Sequence, residues 1–593
     1  MLDMVAEMAV EEERLPDLNY IAGKGLMQPF ANTNSGARKL MFSTQLEHSL
    51  PLISPEIPII QTGYEIRFGS RSSSIIKANA DYEVIDKISK FSANPNHHYF
   101  LVVRDTNSGL YDIIERVSYN HTTETYGYLY NNDVLDRLEP GFEIQDGDIL
   151  RSSFAFDEYM NRCDGVNLVT TYIGNNKTQE DGIQISQSAA KKLMSPLIKK
   201  IQIPINDNDI LLNLFGTMDN FKSFPDIGEN INGGILCAVR REKTEEALYT
   251  QSIDRLSKLM MSDDKYTVEG TVIDLDVYCN NPETLGDKCS NIQIAYYYNE
   301  RRRFNTELVQ LVKDLKIPMN AMSYNLQKMY DVASKELGGY TFIKDRLFSG
   351  TVLEFVVVEY NVPKVGDKIT NRYGGKGVIS QIVSDHMMPL LDDGTRVEVI
   401  FNQSTCVNRL NEGQLNEMSL NFIGSRICEY IAENKMDTYT AIGMIADFIR
   451  MVSPIEAEEL ESILYSDEIS EEDREWFVDN VITSKYILLS IKPITESMSL
   501  DKLDLIYKRF PFIKQYNVMT PIMGSNGQYR YVKGRRKLVA AKMYIYRLKQ
   551  YAEEKFSAVS LSSTNIKNEN TRNKANKNYR SLHSNTPIKF GVA

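Results

Sequence analysis

Apolar positions recur along the chain at two spacings, and together they predict an α+β, β-rich protein with helical additions. Alternating or short continuous apolar runs mark strands. They fall at Tyr99–Val103, at residues 141–155 and 165–175, through a series from 190 to 280, and at Thr351–Tyr360. Gly270–Tyr278 alternates well enough to be half-buried. Between Ile53 and Asn131 short strand-like runs are interrupted by many turn residues, and residues 1–30 read as helix followed by loop. From Asn291 to Gly338 the spacing changes. Leu308, Leu311, Val312 and Leu315 lie three or four apart, which makes an apolar stripe on a helix. After Gly424 the pattern is mainly helical. The acidic stretch from Glu456 to Glu475 reads as solvated helix faces. No internal repeat of fixed period is present.

Composition narrows the class. The 593 residues suggest about three to five modules. No run of about 18 apolar residues occurs, so no membrane-spanning helix is expected. The acidic N-terminus MLDMVAEMAVEEERLPDL lacks the pattern of a signal peptide, and an intracellular protein is expected. None of the six cysteines forms a C-x₂-C pair, which argues against a zinc ribbon. His97 and His98 are adjacent, a poor geometry for one metal. A net charge of −12 argues against a simple DNA-coating protein, so local charge matters more. Lys533 to Lys549 holds seven Lys or Arg and no acid. The tail from Glu569 onward is rich in Asn and Lys and poor in apolar residues; alone it would be disordered, and it could order on a phosphate backbone or a partner.

The segment Val362–Ser380, VPKVGDKITNRYGGKGVIS, concentrates candidate chemistry. Lys364, Lys368, Arg372 and Lys376 face a single acid, Asp367, and Gly374, Gly375 and Gly377 surround Lys376. Glycine permits close backbone approach and positive φ, and lysines are point charges suited to phosphate. The combination suggests a phosphate or nucleic-acid contact; taken alone it also fits a basic surface turn. It is not a P-loop: Thr370 stands where the first glycine belongs and Gly377 where Ser or Thr should hold magnesium.

The same segment resembles the β subunit of multisubunit RNA polymerases, in its C-terminal half. Every specified position of G-D-K-x-x-x-R-x-G-x-K-G-V-I-S matches, from Gly366 to Ser380. Met388–Thr395 is similar to the family's M-P-x-x-x-D-G-T. Asn402 and Arg409-Leu410-Asn411-Glu412-Gly413-Gln414 are similar to its N-P-x(n)-R-M-N-x-G-Q. Upstream, Pro29-Phe30 with Arg38, Met41 and Pro51 resembles P-F-x-x-x-x-x-A-N-R-x-x-M, with Gly36-Ala37 replacing the usual Ala-Asn. Gly165–Leu168 and Gln179-Glu180-Asp181-Gly182-Ile183 resemble G-x-N-L and F-E-D-A-I, with Gln179 departing from the usual aromatic residue. Met543-Tyr544 and Lys555 look, more loosely, like the helix before the clamp and switch elements. The blocks are colinear, and region 421–530 matches least.

That resemblance implies a double-psi β-barrel, assembled from residues near 30–60, 140–190 and 360–420. It also implies a flap-like β module and helical C-terminal additions. The divisions expected are 1–140, a fork- or external-like region with the first barrel segments; 141–190, a barrel segment with the Glu-Asp motif; and 191–365, the flap-like module with a helical insert. Then come 366–420, the barrel and hybrid-binding segment; 421–530, mainly helical; and 531–593, a basic tail near clamp and switch. Arg38 and Arg409 are implied to reach the incoming triphosphate, and Lys368 and Lys376 the RNA 3′ end. Glu180 and Asp181 are implied to lie near the second magnesium ion through water. Lys533, Arg535, Arg536, Arg547 and Lys555 are implied to grip nucleic-acid backbone.

The family's aspartate triad belongs to β′, and no N-A-D-F-D-G-D occurs here. The nearest D-x-D pairs, Asp207/Asp209 and Asp274/Asp276, have unlike surroundings. Mg²⁺ is therefore expected to be held mainly by a partner, and this chain alone to be inactive. The partners implied are a subunit supplying the N-terminal half of β, β′-like subunits, DNA template, RNA product and NTPs, and in principle a promoter-specificity factor; no membrane is implied. The chain reads as a compact, divergent, split β lacking the N-terminal lobe and the clamp. That points to a large bacteriophage's own enzyme acting in the cytoplasm of an infected bacterium. The alternative is an inactive nucleic-acid-binding or structural barrel protein.

Overall fold

The computed structural model describes residues 23–549 and the strand pair 557–560 with 588–591. Within 23–549 it leaves out 71, 73, 122–126, 158, 208, 218–219, 242–258, 260–262, 286–290, 344–345, 348–349, 493–497 and 524–528. The helix expected within residues 1–30 lies largely outside the described residues, as does Lys555. No helix among the described residues is long and apolar enough to cross a membrane.

Helix α1 (Gly36–Glu47) comes first, and then an antiparallel sheet containing β1 (Tyr82–Ser89), β2 (Tyr99–Asp105) and β3 (Tyr111–Arg116). Strands β4 (Gly165–Tyr172) and β5 (Gly182–Ser186) follow. Next, β6 (Ser195–Ile205), β7 (Thr271–Cys279) and β8 (Thr351–Asn361) form a sheet in which β8 is central and antiparallel to both neighbours. Helices α2 (Ile292–Asp314) and α3 (Tyr324–Leu337) are inserted between β7 and β8. Phe304 and Leu308 of α2 and Leu326 of α3 pack on Phe100, Val102 and Ile113, so the helical insert covers the first sheet.

After β8 come β9 (Lys368–Asn371), β10 (Gly377–Val383) and β11 (Val399–Phe401), then α4 (Gln403–Arg409) and α5 (Glu412–Asn434). Helices α6 (Thr438–Val452), α7 (Pro454–Leu464), α8 (Glu471–Ser484) and α9 (Leu500–Arg509) form a helical region. The hairpin β12 (Val518–Met523) with β13 (Tyr529–Lys533) leads to β14 (Ala541–Arg547).

Six strands close a barrel in the order β4-β11-β5-β10-β9-β14. Two of its pairings, β4 with β11 and β5 with β10, are parallel. Parallel neighbours require a crossover connection, and between β5 and β10 that connection is the whole module from 187 to 376. Leu168, Ile183, Ile369, Ile379, Val399, Met543 and Ile545 are fully buried in the same core. Helix α5 packs on that core and buries residues around most of its circumference, including Met418, Phe422, Ile427 and Ile431. A helix apolar on most sides must lie inside a core.

Two expectations are corrected here. The 30–60 segment gives the barrel no strand; it contributes α1 and isolated bridges such as Glu56 to Gly165 and Ser49 to Leu548. Its place in the barrel is taken by β14, antiparallel to both β4 and β9. Met543-Tyr544 is therefore strand and not helix, because its backbone pairs with a barrel strand on either side.

Candidate functional site

Loop 372–376 joins β9 to β10, which pair antiparallel with Ile369 opposite Gly377. The Asn371 side chain holds the turn, accepting from the N–H groups of Tyr373 at 3.0 Å and Gly375 at 3.2 Å. Lys376 is thereby presented at the exposed end of the loop. The glycines also let other segments of the chain pack against this loop. Gly374 has φ +74°, and a Cβ there would meet the Arg38 carbonyl oxygen at 2.8 Å. A Cβ on Gly377 would lie 2.4 Å from the Asp181 carbonyl oxygen. They let two other segments of the protein close on Lys376.

The Glu180-Asp181 turn is the first of these segments. Asn175 caps it by accepting from Lys177 and Thr178 N–H groups at 2.7 and 2.9 Å. Glu180 adopts φ +48°, a left-handed conformation uncommon for a residue with a side chain. The Asp181 carbonyl accepts from Val378 N–H at 2.9 Å, which locks the turn to β10. The second segment is α1. Arg38 Nη1 donates to the Gly374 carbonyl at 3.0 Å. A third side comes from α4, whose N-terminus is capped by Asn402 and whose last residue is Arg409. Arg409 Nη2 lies 2.6 Å from Asp181 Oδ1 in a partly exposed ion pair.

One cleft is lined by Glu180, Asp181, Lys376 and Arg409, together with Asn371 and Gln414. Arg38 borders it through Gly374. Partial burial and the neighbouring Arg409 guanidinium lower the Arg38 pKa, and Asp181 opposes them. Arginine stays charged regardless, so the effect is positive charge crowded onto positive charge, the electrostatics of an anion site. Lys368 opens β9 opposite Val378, and it is not among the residues lining the cleft.

The remaining cations divide sharply. Lys533, Arg535 and Arg536 are exposed at the end of the β12–β13 hairpin, and among the described residues none of them makes an ion pair. Arg547, expected at a nucleic-acid surface, is instead fully buried in the barrel wall. Its guanidinium donates to the Asn361 carbonyl at 2.6 Å and to Asp367 Oδ2 at 3.1 Å. A buried arginine has to be paired in this way, and the basic run from 533 to 549 is thus an exposed hairpin end followed by a barrel strand. Arg372 of the glycine segment is likewise 1% exposed and bound to Glu417 at 2.9 Å. Burial is the largest influence and lowers its pKa, Glu417 together with Tyr373 and Tyr546 outweighs it, and the net shift is upward.

Among the described residues no group of three or more His, Cys, Asp or Glu is arranged to hold a metal ion. In the cleft, Asp181 is engaged by Arg409, and Glu180 makes no ion pair among the described residues. The D-x-D pairs are structural: Asp209 pairs with Arg241, and Asp274 and Asp276 with Lys90. Sequence reasoning passed over Asn371 as an unspecified position of the motif. Its only signal is a short amide three residues before Gly374.

Known proteins are similar to this chain over most of its length. The family model for RNA polymerase Rpb2, domain 6, matches residues 140–568. The DNA-directed RNA polymerase subunit beta of Mycoplasmopsis synoviae (strain 53) is 25% identical over 413 residues, covering 67% of this chain and 29% of that protein. The protein of the same name from Borrelia turicatae (strain 91E135) is 25% identical over 409 residues, covering 68% and 31%. That of Wolbachia pipientis is 23% identical over 526 residues, covering 76% and 34%. The chain spans about a third of the length of the curated relatives it matches. With the family model matched over well more than half of its residues, the chain belongs to the RNA polymerase Rpb2, domain 6, family.

Proposed function

We propose that this chain is the C-terminal part of the β subunit of a multisubunit DNA-dependent RNA polymerase, and that its cleft supplies the cationic wall of the nucleotidyl-transfer site. The observation that carries this reading is the convergence of Arg38, Lys376 and Arg409 on the Glu180-Asp181 turn, from four segments spread over about 370 residues of sequence. Membership of a polymerase family and relatives named DNA-directed RNA polymerase subunit beta support it.

In this reading the closed barrel is a double-psi barrel. Arg38 and Arg409 bind the incoming triphosphate, since a guanidinium fork matches phosphate oxygens. Lys376, with Lys368 on the adjacent strand, contacts the RNA 3′ end. As the α–β phosphate bond breaks, negative charge grows on the leaving pyrophosphate, and cations already in place stabilise it without reorganising. Aspartates of a β′-like partner would hold magnesium, which would supply charge neutralisation at the triphosphate and 3′ hydroxyl. Glu180 and Asp181 would lie near that ion and orient water beside it, and Asp181 holds Arg409 until a phosphate displaces it. Lys533, Arg535 and Arg536 grip nucleic-acid backbone without reading sequence. A phage-encoded enzyme working in the cytoplasm of its host agrees with a chain only 23–25% identical to these bacterial subunits.

The test is to co-purify the chain with its partners and assay templated RNA synthesis, then to repeat the assay with Lys376→Ala and Arg38→Ala. Synthesis that depends on template and Mg²⁺, and that falls by about 10²-fold or more in each variant, is expected. An assembly that binds nucleic acid but makes no RNA would favour the alternative of an inactive nucleic-acid-binding barrel.

A further inference from the structure

The segments that carry the cleft's cations are joined beneath it by a file of buried amide side chains. Asn371 is 1% exposed, and its Oδ1 holds the Lys376 loop by accepting from Tyr373 and Gly375 N–H groups. Its Nδ2 donates to Gln414 Oε1 at 2.8 Å. Gln414, 4% exposed in the first turn of α5, donates from Nε2 to the Cys406 sulfur. Cys406 lies on α4, three residues before Arg409. On the other flank the Gly413 N–H donates to Asn34 Oδ1 at 3.2 Å, two residues before α1 and its Arg38.

Apolar side chains could fill the same volume, and burying amides carries a desolvation cost unless each polar atom finds a partner. What amides add is direction. Each hydrogen bond fixes an angle as well as a distance, and a fully satisfied buried network settles on one arrangement. We infer that Asn371 and Gln414 are positioning residues, which set Lys376 against Arg409 so that both cations address a single polyphosphate. The inference rests on the reading of the cleft as a triphosphate site. Both residues line the cleft, yet their polar atoms are engaged by protein partners.

Two measurements test it, one of them independent of activity. In the full chain, hydrogen exchange at the Tyr373 and Gly375 amides is expected to quicken by about tenfold or more in Asn371→Ala. Asn371→Asp, which retains the accepting oxygens, restores protection. Equal exchange in wild type and Asn371→Ala overturns the network. In the complex assembled with its partners, the KM for NTP is expected to rise on the order of tenfold in Asn371→Ala and in Gln414→Met, with a smaller change in kcat, because cations displaced by about an ångström lose their hold on the triphosphate. Asn371→Asp, which keeps the turn's acceptors but loses the Nδ2 donor to Gln414, is expected to raise KM less than Asn371→Ala does. A lower apparent kcat at unchanged KM reports only a smaller folded fraction and overturns the positioning role. If Asn371→Ala does not fold, Gln414→Met, which conserves volume, reads the same quantity. If the wild-type assembly makes no RNA, the polymerase reading fails, and the exchange measurement still decides the network.

Discussion

The barrel cleft and the junction between β2, β7 and α2 both gather acids and bases, and they use them in opposite ways. At the junction, Lys90 lies 2.9 Å from Asp274 and 3.2 Å from Asp276. Arg301 joins Asp276 to Glu336, Tyr119 donates to Asp274, and His98 sits between Glu115 and Asp274. Lys90, His98 and Asp274 are buried and Asp276, Arg301 and Glu336 half-buried, and each is matched by another on a neighbouring element. In the cleft the same residue types stay part-exposed, with Arg409 and Asp181 28% and 43% exposed, and positive charge is in excess. The junction consumes its charge in holding modules together. The cleft leaves charge over for something outside the chain. A D-x-D pair in sequence belongs to the first kind here, and only its surroundings reveal that.

The largest effect is expected from breaking the junction. Lys90→Met would leave the buried Asp274 and half-buried Asp276 without their ammonium, at a cost of about 3–5 kcal/mol. The chain has several modules, so a single unfolding midpoint is a poor measure of that loss. The opening free energy of β7, read by hydrogen exchange, is the better one. A change below about 1 kcal/mol would mean that the junction tolerates unpaired charge as a surface does.

Arg409→Ala makes the opposite case. It removes an ion pair exposed enough to be worth less than about 1 kcal/mol, so β7 and the barrel strands should exchange as before. RNA synthesis by the assembled complex is expected to fall by about 10²–10³-fold. Equal losses of activity and protection would erase the distinction between the two regions.

The sequence made one of these regions far easier to see than the other. Strands at Tyr99–Asp105, Thr271–Cys279 and Thr351–Asn361 and the helical insert over 292–337 follow from local periodicity. The cleft's cations came from motif order and not from periodicity. Strand β14 stayed hidden for a physical reason. Its sequence AKMYIYR is buried on both faces, so it lacks the alternation of a half-buried strand, and an apolar run of that length is equally compatible with a helix. Its partners in the barrel stand more than 150 residues earlier in the chain. Arg547 was misjudged with it, because a cation's exposure depends on Asp367 and Asn361, which are distant in sequence. The amides Asn371 and Gln414 were opaque in the same way: an isolated amide gives no sign of whether its partner is water or protein.

A smaller effect separates the regions by pH. Burial and the Lys90 ammonium press the His98 pKa down, the contacts to Asp274 and Glu115 outweigh them, and the net shift is upward. A raised folded pKa means that the stabilisation is fully present below the unfolded value of about 6.5 and is lost as pH rises through the folded value. The protection of β7 in wild type should therefore exceed that in His98→Gln by on the order of 1–2 kcal/mol near pH 6, the worth of hydrogen bonds to charged groups. The gap should narrow toward pH 9. A difference independent of pH would show that His98 acts there by shape alone.

The smallest effect concerns exposed cations alone, and it asks whether exposure without a partner is what marks a nucleic-acid contact. Lys533, Arg535 and Arg536 have no ion pair among the described residues, whereas Arg450, also exposed, is held by Asp447 and Glu461. A cation that neutralises a phosphate releases a counterion, so each such contact adds roughly 0.7–0.9 to the slope of log affinity against log salt. Arg535→Ala and Arg536→Ala in the assembled complex should each lower that slope by about this amount, and by similar amounts on unrelated sequences, because backbone contacts carry no base information. Arg450→Ala should leave the slope unchanged, since its charge is already balanced within the protein. If all three variants shifted the slope alike, net charge alone would govern binding, and the hairpin end would lose its claim to a specific place on the nucleic acid.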